Sequence, residues 1–132
     1  MSNETPTESP KEQGRSFAGG LEQILAEDPR YAREAYYLVM EALSFTCRDL
    51  EREGHVSGRE LLKGFRKYVL NEYGPMARVT LSEWGINRCE DVGHIVFNLV
   101  NHNLLRKTDE DSIQDFAGGY DFAEAFEAPF EP

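Results

Sequence analysis

Residues 57–70 read SGRELLKGFRKYVL, and three signals within this stretch decide how the chain folds. Ser57 followed by Glu60 predicts a capping box, in which the hydroxyl and the carboxylate each satisfy a backbone N–H left unpaired by the first helical turn. Leu61, Leu62, Phe65, Val69 and Leu70 recur at helical spacing, so a helix runs from here to about Tyr73 with one side toward a core. Arg59, Lys63, Arg66 and Lys67 fall at i, i+4, i+7 and i+8, which gathers four cations on another face of the same helix.

The neighbouring segments repeat the helical pattern on both sides. Upstream, Leu21, Ile24 and Leu25 mark a first helix over Ser16 to Asp28, ended by Pro29. From Tyr31 to about Arg52, Tyr31, Ala35, Leu38, Val39, Ala42, Leu43, Thr46 and Leu50 form a stripe widened by Tyr36, Tyr37, Met40 and Phe45, which suits a central helix stopped near Gly54. Downstream, Gly74-Pro75 closes one helix and opens the next, Met76 to Trp84, which Gly85 ends. After a tight turn over Ile86 to Arg88, Val92, Ile95, Val96, Leu99 and Val100 trace a fifth helix from about Cys89 to Asn103. Leu104 to Lys107 and Ser112 to Phe116 pair as a small hairpin across Thr108 to Asp111, and an irregular or partly helical tail follows Gly118-Gly119. The expected fold is mainly α: a compact bundle of about five helices with a helix-turn-helix-like pair and a small C-terminal β-hairpin, winged-helix-like in outline.

At 132 residues the chain holds one ordinary core. Its expected parts are a disordered polar leader over 1–15, a helical domain over 16–116 and an acidic aromatic tail over 117–132. The net charge of −10 is unevenly spread: residues 1–15 and 16–107 each carry −1, whereas 108–132 carry eight acids, no base and −8. The helical part is nearly neutral. No run of 18 apolar residues occurs and the leader lacks the pattern of a signal peptide, so no membrane partner is expected. Cys47 and Cys89 sit in apolar helical patterns and suit reduced thiols of a cytoplasmic protein, although one bridge between them stays open.

Several segments resemble an uncharacterised bacterial family found chiefly in planctomycetes and verrucomicrobia. They are Tyr73-Gly74-Pro75-Met76-Ala77-Arg78, Trp84-Gly85-Ile86, Asp91-Val92-Gly93 with Ile95-Val96-Phe97-Asn98-Leu99-Val100, Lys107-Thr108, Asp111, Asp115-Phe116 and Tyr120-Asp121-Phe122. The resemblance runs from about Tyr31 to Phe126. It implies a conserved cytoplasmic bacterial fold and brings with it no activity, ligand or site residue.

Function is sought in three surfaces. The basic face formed by Arg59, Lys63, Arg66 and Lys67 reads either as a solvated helix face or as a docking stripe for something acidic: RNA, a partner protein or the chain's own tail. The tail places Phe116, Tyr120, Phe122, Phe126 and Phe130 among Asp115, Asp121, Glu124 and Glu127, whereas disordered acidic segments ordinarily lack aromatics. Phe116, Tyr120 and Phe122 are expected to pack back on a core this small, and Phe126 and Phe130 to be better placed for an outside partner. Phe122 shares a helix face with Phe126 at i, i+4 and joins these two as a candidate anchor. The third surface is the outward face of the fifth helix, where Arg88, His94, Asn98 and Asn101, with Asp91 and His102, stand where a recognition helix would read bases. Glu90 and Asp91 at its start and the acids of the hairpin turn disfavour a phosphate backbone.

No Gly-rich phosphate loop and no nucleophile elbow occurs. Glu90 and His94, even with Cys89 or Asp91, fall short of a recognised ligand set, so no metal and no cofactor is expected. The expected function is a non-enzymatic protein-interaction module, of unspecified process, whose acidic tail competes with an external acidic partner for the basic face. The alternatives are a winged-helix-like nucleic-acid-binding regulator and an enzyme whose site cannot be connected by sequence.

Overall fold

The capping box forms as the sequence dictates: the Ser57 hydroxyl accepts from the Glu60 N–H at 3.1 Å, and a Glu60 carboxylate oxygen accepts from the Ser57 N–H at 2.8 Å. In this computed structural model, which describes residues 17–52, 56–106 and 113–131, it starts the third of six α-helices. These are α1 (Phe17–Glu27), α2 (Arg33–Asp49), α3 (Gly58–Tyr73), α4 (Ala77–Glu83), α5 (Cys89–Asn101) and a short α6 (Phe122–Phe126). Three 3-10 turns, Gly74–Met76, Ile113–Phe116 and Ala128–Phe130, complete the regular structure among the described residues.

The architecture is a helical bundle centred on α2 and α3, which form its most extensive pairing. Their approach is close because Gly64 lacks a side chain: a Cβ there would stand 1.8 Å from the Thr46 hydroxyl oxygen. Buried Thr46 instead donates that hydroxyl to the Ala42 carbonyl one turn back, at 2.7 Å. Around this pair, Leu21 and Ile24 of α1, Ala77 and Leu81 of α4, and Val92, Ile95 and Leu99 of α5 complete a core of fully buried aliphatic side chains. Tyr37 and Leu50, counted in the stripe of the second helix by spacing, remain well exposed.

The hairpin expected after α5 is not shown among the described residues. Its second arm is the 3-10 turn Ile113–Phe116, no strand occurs among the described residues, and the connecting residues 107–112 lie outside them. Phe116 sits between α3 and α5, where a Cβ at Gly58 would stand 3.1 Å from its ring. A Cβ at Gly93 would come within 2.8 Å of Phe116, and Phe97 meets its ring edge-on at 6.4 Å between centroids. Burying such a ring contributes about 1.5–3 kcal/mol.

Beyond it the chain returns to the core. Tyr120 donates its hydroxyl to the Leu62 carbonyl at 2.7 Å, and Phe122, Ala125 and Phe126 join the same apolar cluster as the main helices. The division expected after residue 116 therefore does not separate a core from a tail, since Phe116, Phe122 and Phe126 belong to one interior. No helix among the described residues is long and apolar enough to cross a membrane.

Candidate functional site

Arg59, Lys63, Arg66 and Lys67 are all exposed on α3, on the side away from Leu61, Leu62, Phe65 and Val69. Lys67 reaches Asp49 of α2 at 3.0 Å. Among the described residues Arg59, Lys63 and Arg66 carry no ion pair. Like charges at i, i+3 and i, i+4 repel, at about 0.2–0.5 kcal/mol for each neighbouring pair. The run from Arg59 to Lys67 contains three such neighbours, so this face costs the helix stability unless an anion covers it.

Among the described residues the tail makes no ion pair with it. Its described ion pair joins Glu127 to Arg78 of α4 at 3.4 Å, a charge contact too poorly aligned for a hydrogen bond. The same guanidinium lies 5.8 Å from the centre of the Phe122 ring and donates to Asn87 at 3.2 Å. Asp121 caps α6 by accepting from the Glu124 N–H at 3.1 Å. Two of the three aromatic anchors expected to face a partner are turned inward, and this is a correction. Phe122 is buried and Phe126 is 0% exposed, its ring edge-on to Phe65 at 6.4 Å and to Phe122 at 4.9 Å. Only Phe130 of the three stays accessible, at 43%. The i, i+4 spacing does put Phe122 and Phe126 on one helix face, but that face looks inward.

The outward face expected on α5 is corrected in the same way. Asp91 is buried and accepts from the Asn87 and Arg88 backbone N–H groups at 2.8 and 3.1 Å, closing the first turn of its own helix. Its other oxygen accepts a hydrogen bond from the Tyr31 hydroxyl at 2.6 Å. His94 Nδ1 lies 3.1 Å from the same hydroxyl oxygen and 3.5 Å from an Arg30 nitrogen. With the Tyr31 hydroxyl donating to Asp91, a hydrogen on Nδ1 is what completes the contact between His94 and Tyr31. Asn98 donates to Asp28 at 2.9 Å and to the Tyr36 hydroxyl at 3.0 Å, and His102 Nε2 lies 3.1 Å from Glu27. Arg88 and Asn101 are exposed. The polar side of α5 therefore fastens the α1–α2 connection, and the residues expected to read bases are divided between that fastening and solvent.

Spacing along α5 alone missed this network, although Asp28-Pro29-Arg30 carries its signal. An Asp before Pro favours a turn in which the carboxylate accepts from the N–H two residues on, as Asp28 does from Arg30 at 3.2 Å. Arg30 then adds two side-chain bonds to Asp28, each 2.8 Å. This guanidinium, reinforced by Asn98, outweighs burial and holds the Asp28 carboxyl well below the usual carboxylate range. Burial first, and then the Asp91 carboxylate, push the Tyr31 hydroxyl far above its ordinary value, so the phenol stays protonated. Tyr31→Phe should cost about 1–3 kcal/mol, the scale for leaving a buried acceptor short of a donor, read as a lower urea midpoint with unchanged slope.

No family model, no curated protein and no solved structure matches the chain. What the site can do is therefore argued from its side chains. Among the described residues no three of His, Cys, Asp and Glu converge as a metal ligand set. Glu90 and His94 part company, Glu90 toward the Gly118 N–H and His94 toward Tyr31. Cys47 and Cys89 are free thiols, and burial pushes Cys89 up while it donates to the Tyr120 carbonyl at 3.5 Å.

Two carboxylates give the fold a defined acid limit. Arg52, at 2.6 Å, and the Ser57 N–H lower Glu60 to about 2. A carboxylate with a lower folded than unfolded pKa contributes stability that is complete above the unfolded value, near 4.5, and lost as the pH falls through about 2. Asp28 acts with the same sign. Glu60→Gln should flatten the fall in urea midpoint across that window, and an unchanged slope with pH would contradict the assignment.

Proposed function

We propose that this chain is a non-enzymatic interaction module that binds an acidic segment of a partner protein across the outward face of α3. The observation that carries the reading is the group formed by Arg59, Lys63 and Arg66, adjacent, exposed and without an ion pair among the described residues, in a chain of net charge −10. Mutual repulsion within such a group is relieved when an anion docks, so the cost carried by the free helix returns as binding energy. The free thiols of Cys47 and Cys89 suit a cytoplasmic setting. The nucleic-acid reading has less support, since His94 and Asn98 are occupied and the Asp91 carboxylate sits at the start of the would-be recognition helix. An enzymatic reading draws no support from Tyr31 or Cys89, since burial raises both.

Fluorescence anisotropy with a labelled polyglutamate peptide tests the proposal, beside single-stranded RNA of matched charge. The peptide should bind, and Lys63→Glu combined with Arg66→Glu should weaken it at least about tenfold, or 1.4 kcal/mol. Binding should also weaken from about 0.1 to about 1 M salt, as the Debye length shrinks from about 10 to about 3 Å. Affinity for polyglutamate that survives the double reversal would overturn the reading, and so would RNA bound more tightly than the peptide.

A further inference from the structure

We propose that the acidic segment recognised by α3 is one this chain itself presents, residues 127–131 of a second copy, with Phe130 as the anchor. The inference rests on the reading of α3 given above and adds the identity of the occupant. Burial of Phe116, Phe122 and Phe126 leaves Phe130 as the tail aromatic that stays well exposed, at 43%, between the carboxylate of Glu131 and that of Glu127, which lies exposed 3.4 Å from Arg78 of its own chain. The segment is already shaped. Pro129 lies in the 3-10 turn Ala128–Phe130, the Phe130 N–H donates to the Glu127 carbonyl at 3.0 Å and the Glu131 N–H donates to the Ala128 carbonyl at 3.1 Å. A preformed turn that offers one ring between two acids loses little entropy on docking.

α3 supplies the complement. Leu70 lies four residues beyond Arg66 and seven beyond Lys63, so helical register sets it beside the cations, and it is only half-buried. An apolar landing site edged by Lys63 and Arg66 fits an aromatic ring edged by Glu127 and Glu131 in both polarity and charge. Phe130 stays exposed in its own molecule, so the contact joins copies. The two surfaces differ, so association is head-to-tail, each copy giving one surface and receiving the other.

Sedimentation velocity on the full chain tests this. The wild-type protein should associate with rising concentration at about 0.1 M salt and dissociate at about 1 M. Phe130→Ala removes an exposed ring and leaves the core intact, and should weaken association at least about tenfold. Lys63→Glu with Arg66→Glu should do the same. An equimolar mixture of these two variants should form a one-to-one dimer, because each retains the surface that the other lacks. A wild-type chain that stays monomeric, a Phe130→Ala chain that associates like the wild type, or a mixture no different from its components would each overturn the proposal. Polyglutamate binding separates the two failures. If it persists in a chain that stays monomeric, only the second-copy occupant is wrong, and if it is absent, the reading of α3 falls as well.

Discussion

Phe126→Ala should lower the stability of the fold by about 3–5 kcal/mol, the range for truncating a fully buried aromatic side chain. Phe126 has no exposed surface, and its ring meets those of Phe65, Tyr120 and Phe122, at 6.4, 6.1 and 4.9 Å. The surrounding helices cannot collapse into the space without also moving Phe122. A chain ending after Phe116 should fare worse, because it loses Phe122, Ala125 and Phe126 together with the Tyr120 bond to the Leu62 carbonyl. Domains are stable by about 5–15 kcal/mol in all, so this truncation should be largely unfolded. Urea denaturation followed by circular dichroism reads both results. A Phe126→Ala midpoint close to the wild-type value would show instead that the segment is an arm resting loosely on the bundle. Removing it is thus no way to unmask α3: acidic ligands bound by such a truncation would be meeting an opened core.

Gly85→Ala should be destabilising on a similar scale, above about 3 kcal/mol, for two separate reasons. Its φ of +93° lies where a side chain is strained, and a Cβ there would stand 2.3 Å from the Arg30 carbonyl oxygen. Strain alone costs about 1–2 kcal/mol. The contact adds more because the obstacle is backbone, held in place by the Ala32 N–H to Trp84 carbonyl bond of 3.1 Å and by the Tyr31–Asp91 bond. Moving it would unfasten the α1–α2 connection from α5. Gly118→Ala provides the comparison, since Gly118 has φ +64° with no atom within 4 Å of a Cβ. Its cost should stay near the strain alone, and equal costs at the two positions would refute the assigned contact.

These two positions mark where sequence reading succeeds and where it stops. The α3 capping box, the cationic spacing and the stop at Gly85 are legible because each is settled within a few residues of chain. The burial expected for Phe116 and Phe122 rests on a different ground, the need of a small core for every aromatic. Phe126 was read as outward because the acids around it suggest solvent, yet those acids occupy the other side of a one-turn helix whose apolar side finds Phe65, 61 residues upstream. Asp91, His94 and Asn98 flank the apolar stripe of α5 as expected, but periodicity within a helix cannot announce that Asp28 and Tyr31 will cover them. The contact of Gly64 with Thr46 is hidden for the same reason. Among the candidate site residues, the exposure of the α3 cations is legible from spacing, and of the four only Lys67 takes an ion pair among the described residues. His94 and Asn98 of α5 and the tail aromatic Phe126 take partners remote in sequence, which spacing does not announce.

The central claim is that α3 binds through its cations while the aromatic segment serves as core. Amide chemical shifts of the isotope-labelled full chain, titrated with polyglutamate, test both halves in one measurement. The predicted result is a set of shifts concentrated between Arg59 and Leu70, with the amides of α5 and of Phe122–Phe126 unmoved. Shifts concentrated between Arg88 and Asn101, or displacement of the Phe122–Phe126 signals as ligand is added, would contradict it.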